Sequence, residues 1–312
     1  MPEPILHDRK LAADRRRIGI SYSGGGPLLI VELGVAQAFV DLGIRPDVVV
    51  GVSAGAIAAA AHAIDPVGGA GINAAAQGTQ QVSNRSLGLT VLQVLGHAIV
   101  ERTHLLGLGS NESIRGLLAD AFHDLAGRDR LTFDYFGRDG RPELIVKATD
   151  RLTGESYRFP GDADVADALV ASSAIPGVFP PKAIGDRLLV DGGVADNQPL
   201  SELALAGCGT IYACAIGYDG ELLKAPTNLL DNLTKSMSIA MHAASRLEQE
   251  YVQIRLGRAG IIHHIHPPVV ELPVKGFDFT PAVIERVMRR ARDDTKTWIT
   301  ENQLLPGQSG TA

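Results

Sequence analysis

The chain has few of the residues that indicate a disulfide-bonded or nucleic-acid-binding protein. Only two of its 312 residues are cysteine, and its formal net charge is −6. A net negative charge disfavours contact with a phosphate backbone, so we do not expect nucleic acid as a partner. Arg15, Arg16 and Arg17 form one basic run. We interpret residues 1–17 as a solvated lead-in to the first strand, with contact to anionic lipid headgroups as the alternative.

Long apolar segments are also absent from the sequence. The first 17 residues are charged and contain no apolar stretch, which argues against a secretory signal peptide. No window reaches the roughly 18 uncharged apolar residues that a membrane-spanning helix needs. We therefore expect a protein of the cytoplasm or of the membrane periphery.

The two cysteines, Cys208 and Cys214, lie six residues apart around a short apolar run. Residues at an even spacing on a strand share a face, and these two are too far apart along it to form a disulfide. We expect two buried thiols on one face of a strand.

Glycine and apolar residues are plentiful, and their order predicts an α/β fold. Residues 18–22 and 46–50 are apolar runs of strand length, and each precedes a segment with helical spacing. This order, strand–helix–strand–helix, predicts a parallel sheet covered by helices. Further strands and helices are predicted, in chain order, at 143–149, 155–159, 165–172, 187–190, 200–206 and 210–216.

Other segments are open to more than one interpretation. Residues 68–78 are small and loop-like, and the apolar segment 87–100 suits either a core helix or a lid over a site. Residues 111–125 have helical spacing, and apolar residues recur every three or four positions over 229–254, which predicts a long amphipathic helix. We expect that stripe to pack against the sheet, with a membrane-facing or partner-facing surface as the alternative. A last helix is predicted from Thr280 to about residue 299.

Ser53 is the candidate nucleophile. It lies in a Gly-Val-Ser-Ala-Gly segment, between an apolar run and an alanine-rich segment. A strand, a sharp turn with serine at its apex, and a helix form a nucleophile elbow, in which the serine has a strained backbone. The flanking Gly51 and Gly55 suit the close backbone contacts of such a turn. A serine in an ordinary glycine turn is the alternative.

Two further glycine clusters follow predicted strands. A run of three glycines ends the first strand, where bare backbone amides can bind a negative oxygen. An Asp-Gly-Gly segment follows the strand predicted at 187–190, which places its carboxylate at the edge where parallel sheets build their sites. The candidate residues in these clusters are Gly24, Gly25, Gly26, Asp191, Gly192 and Gly193.

Competing interpretations of these motifs fit less well. The glycine run lacks the lysine of a P-loop, and a dinucleotide fingerprint would need glycine where Leu29 stands and an acid at the end of a strand that Asp47 instead begins. His263, His264 and His266 would complete a Ser–Asp–His order, but the elbow comes too early in the chain for that fold. The same histidines could bind a metal, although no carboxylate stands at ligand spacing.

Together these motifs resemble the patatin-like lipid acyl hydrolases. The proline-containing segment 171–181, the loop 191–199 with Asn197 and Pro199, and the strand–turn–strand around Thr149 are similar to segments of that family. The resemblance covers about residues 18–216. It implies a three-layer α/β/α fold with a mostly parallel central sheet, and a Ser53–Asp191 dyad that needs no histidine, metal or organic cofactor.

The resemblance also implies a function and a division of the chain. We expect a serine esterase of lipid metabolism, a phospholipase A or lipid acyl hydrolase, which acts on lipid or simple ester substrates and contacts membranes peripherally. A catalytically silent lipid-binding or scaffolding protein on the same fold is the alternative. The oligomeric state is not predicted. The expected parts are the lead-in 1–17, a catalytic core 18–216, a C-terminal helical extension 217–303 on the same domain, and a flexible tail 304–312.

One position departs from the family pattern. The glycine run of the family usually continues to a lysine or arginine, whereas here Pro27, Leu28 and Leu29 follow. Because a cation is missing beside the expected site, we expect weaker attraction to charged phospholipid headgroups.

Overall fold

The computed structural model describes residues 14–88, 109–110, 112–217, 220, 225–227, 229–267 and 277–306. All but the first two residues of the segment 87–100 lie outside this part of the chain. The strands in the described residues are β1 (Asp14–Tyr22), β2 (Val48–Val52), β3 (Glu143–Asp150), β4 (Ser156–Arg158), β5 (Lys182–Ile184), β6 (Arg187–Asp191), β7 (Cys208–Cys214) and β8 (Ile261–Ile265).

These strands form one sheet in the order β5-β6-β3-β2-β1-β7-β8, with β4 paired to β3. The pairs within β3-β2-β1-β7-β8 are all parallel. The strands β4, β5 and β6 add antiparallel pairs at the β3 end. The prediction of a mostly parallel sheet is therefore confirmed.

Helices cover both faces of this sheet. They are α1 (Leu29–Asp41), α2 (Ala54–Ile64), α3 (Ala70–Gln81), α4 (Glu112–Ala126), α5 (Val165–Ser172), α6 (Leu200–Leu205), α7 (Leu229–Leu256) and α8 (Pro281–Glu301). One core contains buried residues of α1 to α5 and α8, and a second contains those of α6 and α7. Val49 of β2 points into the first core and its neighbours Val48 and Val50 into the second, as alternation along a strand requires. The three-layer α/β/α prediction is confirmed.

The segment 68–78, which we expected to be a loop, lies mostly within helix α3. The Asp65 carboxylate accepts hydrogen bonds from the backbone N–H groups of Gly68 and Ala70, at 2.9 and 2.8 Å, and so orders the start of the helix. A Cβ atom on Gly71 would lie 2.2 Å from the Ala61 carbonyl oxygen. The small residues thus allow α3 to pack closely against α2, and they do not mark a loop.

Both cysteines are buried thiols, as predicted, but they do not share a face. Cys208 belongs to the core under α6 and α7, and Cys214 to the core on the other side of the sheet. The pairing of β1 with β7 is irregular here, because Asp14 pairs with Cys208 and Ile18 with Thr210. This irregularity breaks the alternation on which the prediction rested.

Beyond residue 216 the chain adds a strand as well as helices. Strand β8 extends the sheet beside β7, and α8 packs on α1 so closely that a Cβ atom on Gly34 would lie 2.4 Å from the Met288 carbonyl oxygen. The segment predicted as a flexible tail starts at Leu304, whose carbonyl accepts a hydrogen bond from the Tyr212 hydroxyl.

Helix α7 does not bury the apolar stripe that we expected to pack on the sheet. Leu233, Leu247 and Ile254 are 51%, 69% and 76% exposed. The helix instead buries Val252 and Leu256 near its C-terminal end, in the core it shares with α6. For the exposed residues the packing prediction is wrong.

Candidate active site

Ser53 joins the end of β2 to the start of α2 and has the strained backbone predicted for an elbow, with φ 55° and ψ −123°. The glycines on either side are required by close backbone contacts. A Cβ atom on Gly51 would lie 2.1 Å from the Gly55 carbonyl oxygen, and one on Gly55 would lie 2.4 Å from that of Ser23. The prediction that these two positions admit no side chain is confirmed.

Asp191 provides the carboxylate beside the serine. The Ser53 hydroxyl donates a hydrogen bond to this carboxylate, and the Gly193 backbone N–H donates another at 2.8 Å. Both side chains are buried. Burial raises the pKa of Asp191 to about 6, although the two hydrogen bonds act in the opposite direction.

Asp191 reaches this position by a route different from the one we expected. We expected Asp191 at the end of a parallel strand, whereas β6 is antiparallel to β3. In that pairing Asp191 lies opposite Ala148, next to Lys147, which pairs with Val52 just before the nucleophile. The register of three strands therefore brings the carboxylate to the serine.

Two hydroxyl groups not singled out from the sequence hold this arrangement. The Ser172 hydroxyl accepts the Ser53 backbone N–H at 2.8 Å and donates to the Lys147 carbonyl at 2.7 Å. The Thr149 hydroxyl donates to the Asp191 carbonyl at 2.9 Å. Both hydroxyl groups fix the backbone at Ser53 and Asp191. The two residues lie in segments that resemble the family, but serine and threonine are so common in loops and strands that local sequence did not identify these two.

The glycine run lies beside Ser53, but its three amides differ. The Gly24 N–H donates to the Asn197 carbonyl at 3.2 Å, so it anchors the run to the aspartate loop. The N–H groups of Gly25 and Gly26 have no hydrogen-bond partner within the described residues. These two amides are therefore the ones open to a ligand.

Two cavities meet at Ser53, and they share a border made by Gly26, Pro27 and Ile175. The wide cavity, of about 760 Å³, lies between the aspartate loop and helix α7. The narrow cavity, of about 70 Å³, is apolar and lies between helices α2, α3 and α4. Three aromatic side chains line the narrow cavity: Phe179, Phe277 and Phe279.

Comparison with known proteins identifies the family of this chain. The family model described as patatin-like phospholipase matches residues 20–204, more than half of the chain. The chain belongs to the patatin-like phospholipase family. An uncharacterized NTE family protein of Mycobacterium tuberculosis is 29% identical over 224 residues, which are 70% of this chain and 54% of that protein. Another from the same organism is 28% identical over 191 residues, 59% of this chain and 27% of that protein.

The lysophospholipase NTE1 of Saccharomyces cerevisiae is 27% identical over 205 residues, 64% of this chain and 11% of that protein. This patatin-like chain thus spans at most about half the length of these relatives. Among solved structures, VipD from Legionella pneumophila is 16% identical, with a TM-score of 0.46 over 93% of this chain and 68% of its own. ExoU of Pseudomonas aeruginosa, in complex with SpcU, has a TM-score of 0.43 at 15% identity, over 94% of this chain and 53% of its own.

The wide cavity of this patatin-like chain contains basic side chains, although none stands in the glycine loop. His242 and Arg246 reach it from α7, and His266 from the end of β8. Among the described lining residues, Asp191 is the acidic one. The expectation of weak attraction to charged headgroups considered the loop alone and missed these groups.

A buried polar network joins the aspartate loop to the helices. The Lys147 ammonium contacts the Glu202 carboxylate at 2.6 Å, and both side chains are buried. On the α7 side, burial and the adjacent Glu248 carboxylate raise the pKa of Asp196 well above its ordinary value. Such a pair of carboxyl groups is stable when one of them keeps its proton.

Two of the three histidines that could have formed a triad lie outside the wide cavity. His263 packs on Tyr212, with ring centroids 5.1 Å apart, and His264 stacks on His266 at 6.1 Å. Only His266 of the three lines the wide cavity. The Ser53 hydroxyl donates its hydrogen bond to the Asp191 carboxylate. In the part of the chain that the structure describes, no group of three or more His, Cys, Asp or Glu side chains could hold a metal ion.

None of the helices in the described residues is both long and apolar enough to cross a bilayer.

Proposed function

We propose that this protein is a serine lipid acyl hydrolase that cleaves carboxylic ester bonds through a Ser53–Asp191 dyad. The observation that carries the proposal is the hydrogen bond from a strained elbow serine to a buried carboxylate, at the point where two cavities meet. Family membership supports lipid esters as the substrate class. The name of the yeast relative, a lysophospholipase, points the same way.

In this mechanism Asp191 is the general base. A carboxylate with the ordinary pKa of about 4 is a weak base for an alcohol. A pKa of about 6 makes this carboxylate more basic and still leaves it mostly ionised at pH 7. It takes the proton of Ser53 as the serine oxygen attacks the ester carbonyl carbon.

The attack converts the carbonyl oxygen into an oxyanion. The N–H groups of Gly25 and Gly26 are the proposed donors to it, and the N-terminal end of α2 adds a favourable dipole. Asp191 then returns the proton to the departing alcohol oxygen, which leaves an acyl-serine. Water, deprotonated by the same carboxylate, attacks this acyl-serine. Asp191 then gives that proton to the departing Ser53 oxygen, which releases the fatty acid and regenerates the serine hydroxyl.

The two cavities suggest where each part of the ester binds. The narrow cavity is lined almost wholly by apolar side chains from α2, α3 and α4, and its volume of about 70 Å³ suits the first few methylene groups of the acyl chain. The wide cavity has both polar and apolar lining, and it suits the alcohol part with its headgroup. We therefore propose that the acyl chain points toward α3 and the leaving group toward α7.

The dyad is tested by covalent labelling and by product release. A fluorophosphonate probe should label the wild type and not Ser53→Ala, and wild-type protein should release fatty acid from a panel of phospholipids, lysophospholipids and neutral glycerides. Asp191→Asn should lower turnover by about 10³-fold or more, because nucleophile and base act as one unit. His266→Gln, in the same cavity, is the matched control and should retain most of the turnover on a soluble ester.

Two results would contradict the proposal in different ways. Near wild-type turnover of a short nitrophenyl ester by Asp191→Asn would contradict the assignment of Asp191 as the general base. Absence of labelling and of product in the wild type, with lipid binding retained, would favour the catalytically silent lipid-binding protein.

A further inference from the structure

The outer face of helix α7 is apolar, and no element in the described part of the chain buries it. Leu233, Ile239, Leu247 and Ile254 are between 48% and 76% exposed. At 100° per residue these side chains, with the exposed alanines of the same helix, fall within an arc of about 140° that runs for about 32 Å. The residues of this α7 apolar strip are Leu233, Ile239, Ala240, Ala243, Ala244, Leu247 and Ile254.

Few polar groups interrupt the strip. Asn232, Ser236 and Glu250 fall inside the same arc, and the Glu250 carboxylate lies 3.9 Å from the Arg246 guanidinium at the margin. Contiguous apolar surface of this kind, rimmed by polar residues, is typical of a surface that binds a lipid or another protein.

The opposite face of α7 forms a wall of the wide cavity. Met237, Met241, Ser245 and Gln249 line that cavity together with Ser53. One helix therefore carries the strip on one side and borders the reaction space on the other. A bilayer in contact with the strip would therefore lie about one helix diameter, roughly 10 Å, from the wide cavity.

We propose that the α7 apolar strip docks on the surface of a lipid bilayer that contains anionic lipid, and so holds the wide cavity against its substrate. The proposal rests on the proposed lipid hydrolase function.

The breadth and the charge of the strip favour a lipid surface over a partner helix. A two-helix seam is narrow and needs interlocking side chains, whereas an arc of about 140° suits the plane of a bilayer interface. Basic side chains flank the arc on both sides. Arg246, with a 66% exposed side chain, lies on one side beside Lys235, which pairs with Asp231 at 2.9 Å, and the partly buried Arg255 lies on the other. Long basic side chains at such margins can place their charge among anionic headgroups while their stems remain in apolar contact.

The test compares binding to vesicles of phosphatidylcholine alone and of phosphatidylcholine with phosphatidylglycerol. The full-length double variant Leu247→Glu/Ile254→Glu should bind the mixed vesicles at least ten-fold more weakly than the wild type in a flotation assay. Leu152→Glu/Trp298→Glu is the matched control, because those side chains are 72% and 47% exposed and lie outside α7. It should bind like the wild type. Thermal midpoints should be unchanged in both, since all four positions face solvent.

A soluble nitrophenyl ester and the fluorophosphonate probe separate this proposal from the proposed function. The strip variant should keep wild-type rates with both reagents, and lose activity only on vesicles. If it binds vesicles as the wild type does, the docking proposal is overturned, whatever the esterase result. If the wild type does not react with the probe, the hydrolase proposal fails, and vesicle binding still reports on the strip. If sedimentation velocity shows a wild-type dimer that the strip variant dissociates, the strip is an interface between two copies.

Discussion

Helices α2 and α7 lie on opposite sides of Ser53, and they differ in burial and in the size of the cavity that each one borders. All eleven residues of α2 are buried. On the 28-residue α7, the described side chains that are buried are Ser245, Val252 and Leu256. Helix α2 starts directly after Ser53, and helix α7 borders a cavity about ten times larger than the one beside α2.

This difference separates two tasks within one site. On the α2 side, backbone atoms approach so closely that the positions of serine, amides and carboxylate are fixed before any substrate binds, which is what stabilisation of an oxyanion requires. On the α7 side, space and exposed apolar surface admit substrates of variable shape. We expect substitutions on the first side to affect the chemical step, and substitutions on the second to affect access.

The largest effect is expected from a single methyl group on the α2 side. In Gly55→Ala the new Cβ would lie 2.4 Å from the carbonyl oxygens of both Tyr22 and Ser23. Backbone cannot move aside as a flexible side chain can, so we expect a loss of roughly 3 kcal/mol in the free energy of unfolding. Esterase activity should be abolished, because Tyr22 and Ser23 lead directly into the glycine run beside Ser53. Urea denaturation and hydrolysis of a soluble ester measure the two effects.

Gly116→Ala is the control for that substitution. Gly116 is also in a helix, α4, but a Cβ atom there meets no heavy atom within 4 Å. The exchange should stabilise the protein by about 0.5–1 kcal/mol, as expected for alanine in place of glycine in a helix. If Gly55→Ala were as stable and as active as Gly116→Ala, the close backbone contacts around Gly55 would not constrain the site.

The second prediction concerns the carboxylate that lies between the two sides. The proposed base, Asp191, can accept a proton only when it is ionised, and its pKa is about 6. The kcat/KM for a neutral soluble ester should therefore rise about ten-fold per pH unit below pH 6 and level off above it, a change of about 100-fold between pH 4 and the plateau. Neutral ester is used so that the pH does not alter the substrate. A flat profile between pH 4 and 8 would exclude Asp191 as the base.

Stability should change in the opposite direction. The folded protein holds the Asp191 proton more tightly than the unfolded chain, in which the pKa is about 3.8. This group therefore costs stability as the pH rises from 4 to above 6, by about 3 kcal/mol in all. Asp191→Asn removes that cost. The variant should gain stability relative to the wild type at pH 8 and none at pH 4, in parallel urea titrations.

The contrast between the two sides also explains which features could be predicted from the sequence and which could not. The elbow, the glycine run and the aspartate loop were identified because each depends on residues whose chemistry is local, and Ser53 and Asp191 lie together as the motifs implied. The expectation that Asp191 follows a parallel strand was wrong, because β6 is antiparallel to β3. Strand direction depends on pairing across the sheet, which local sequence does not encode.

Helix α7 shows why the rest could not be predicted. Its apolar spacing identified the helix but not the direction of the apolar face, because periodicity reports that a face exists and not what covers it. Ser245 is buried while Leu247 is 69% exposed, the reverse of what hydrophobicity predicts. The same limit applies to α3, whose small residues were interpreted as a loop and in fact allow close contact with α2.

The smallest predicted effect lies in the narrow cavity on the α2 side. That cavity, about 70 Å³, is less than half the size of a cavity of about 150 Å³ that holds benzene, so it has room for only a few methylene groups. Gly78 of α3 lines it, and a Cβ atom there meets no heavy atom within 4 Å. The position therefore accepts a Cβ atom without a clash, and the rest of the side chain in Gly78→Leu should occupy the space that we assign to the acyl chain.

The expected result is a change in chain-length preference with little change in the chemistry. For Gly78→Leu, kcat/KM on a nitrophenyl octanoate should fall about ten-fold, the effect of losing favourable contact for one or two methylene groups. The acetate ester, too short to reach α3, should react at the wild-type rate. Gly78→Ala should leave both rates unchanged. An equal loss on both esters would mean that leucine disturbs Ser53 itself, and no loss on either would place the acyl chain in the wide cavity under α7.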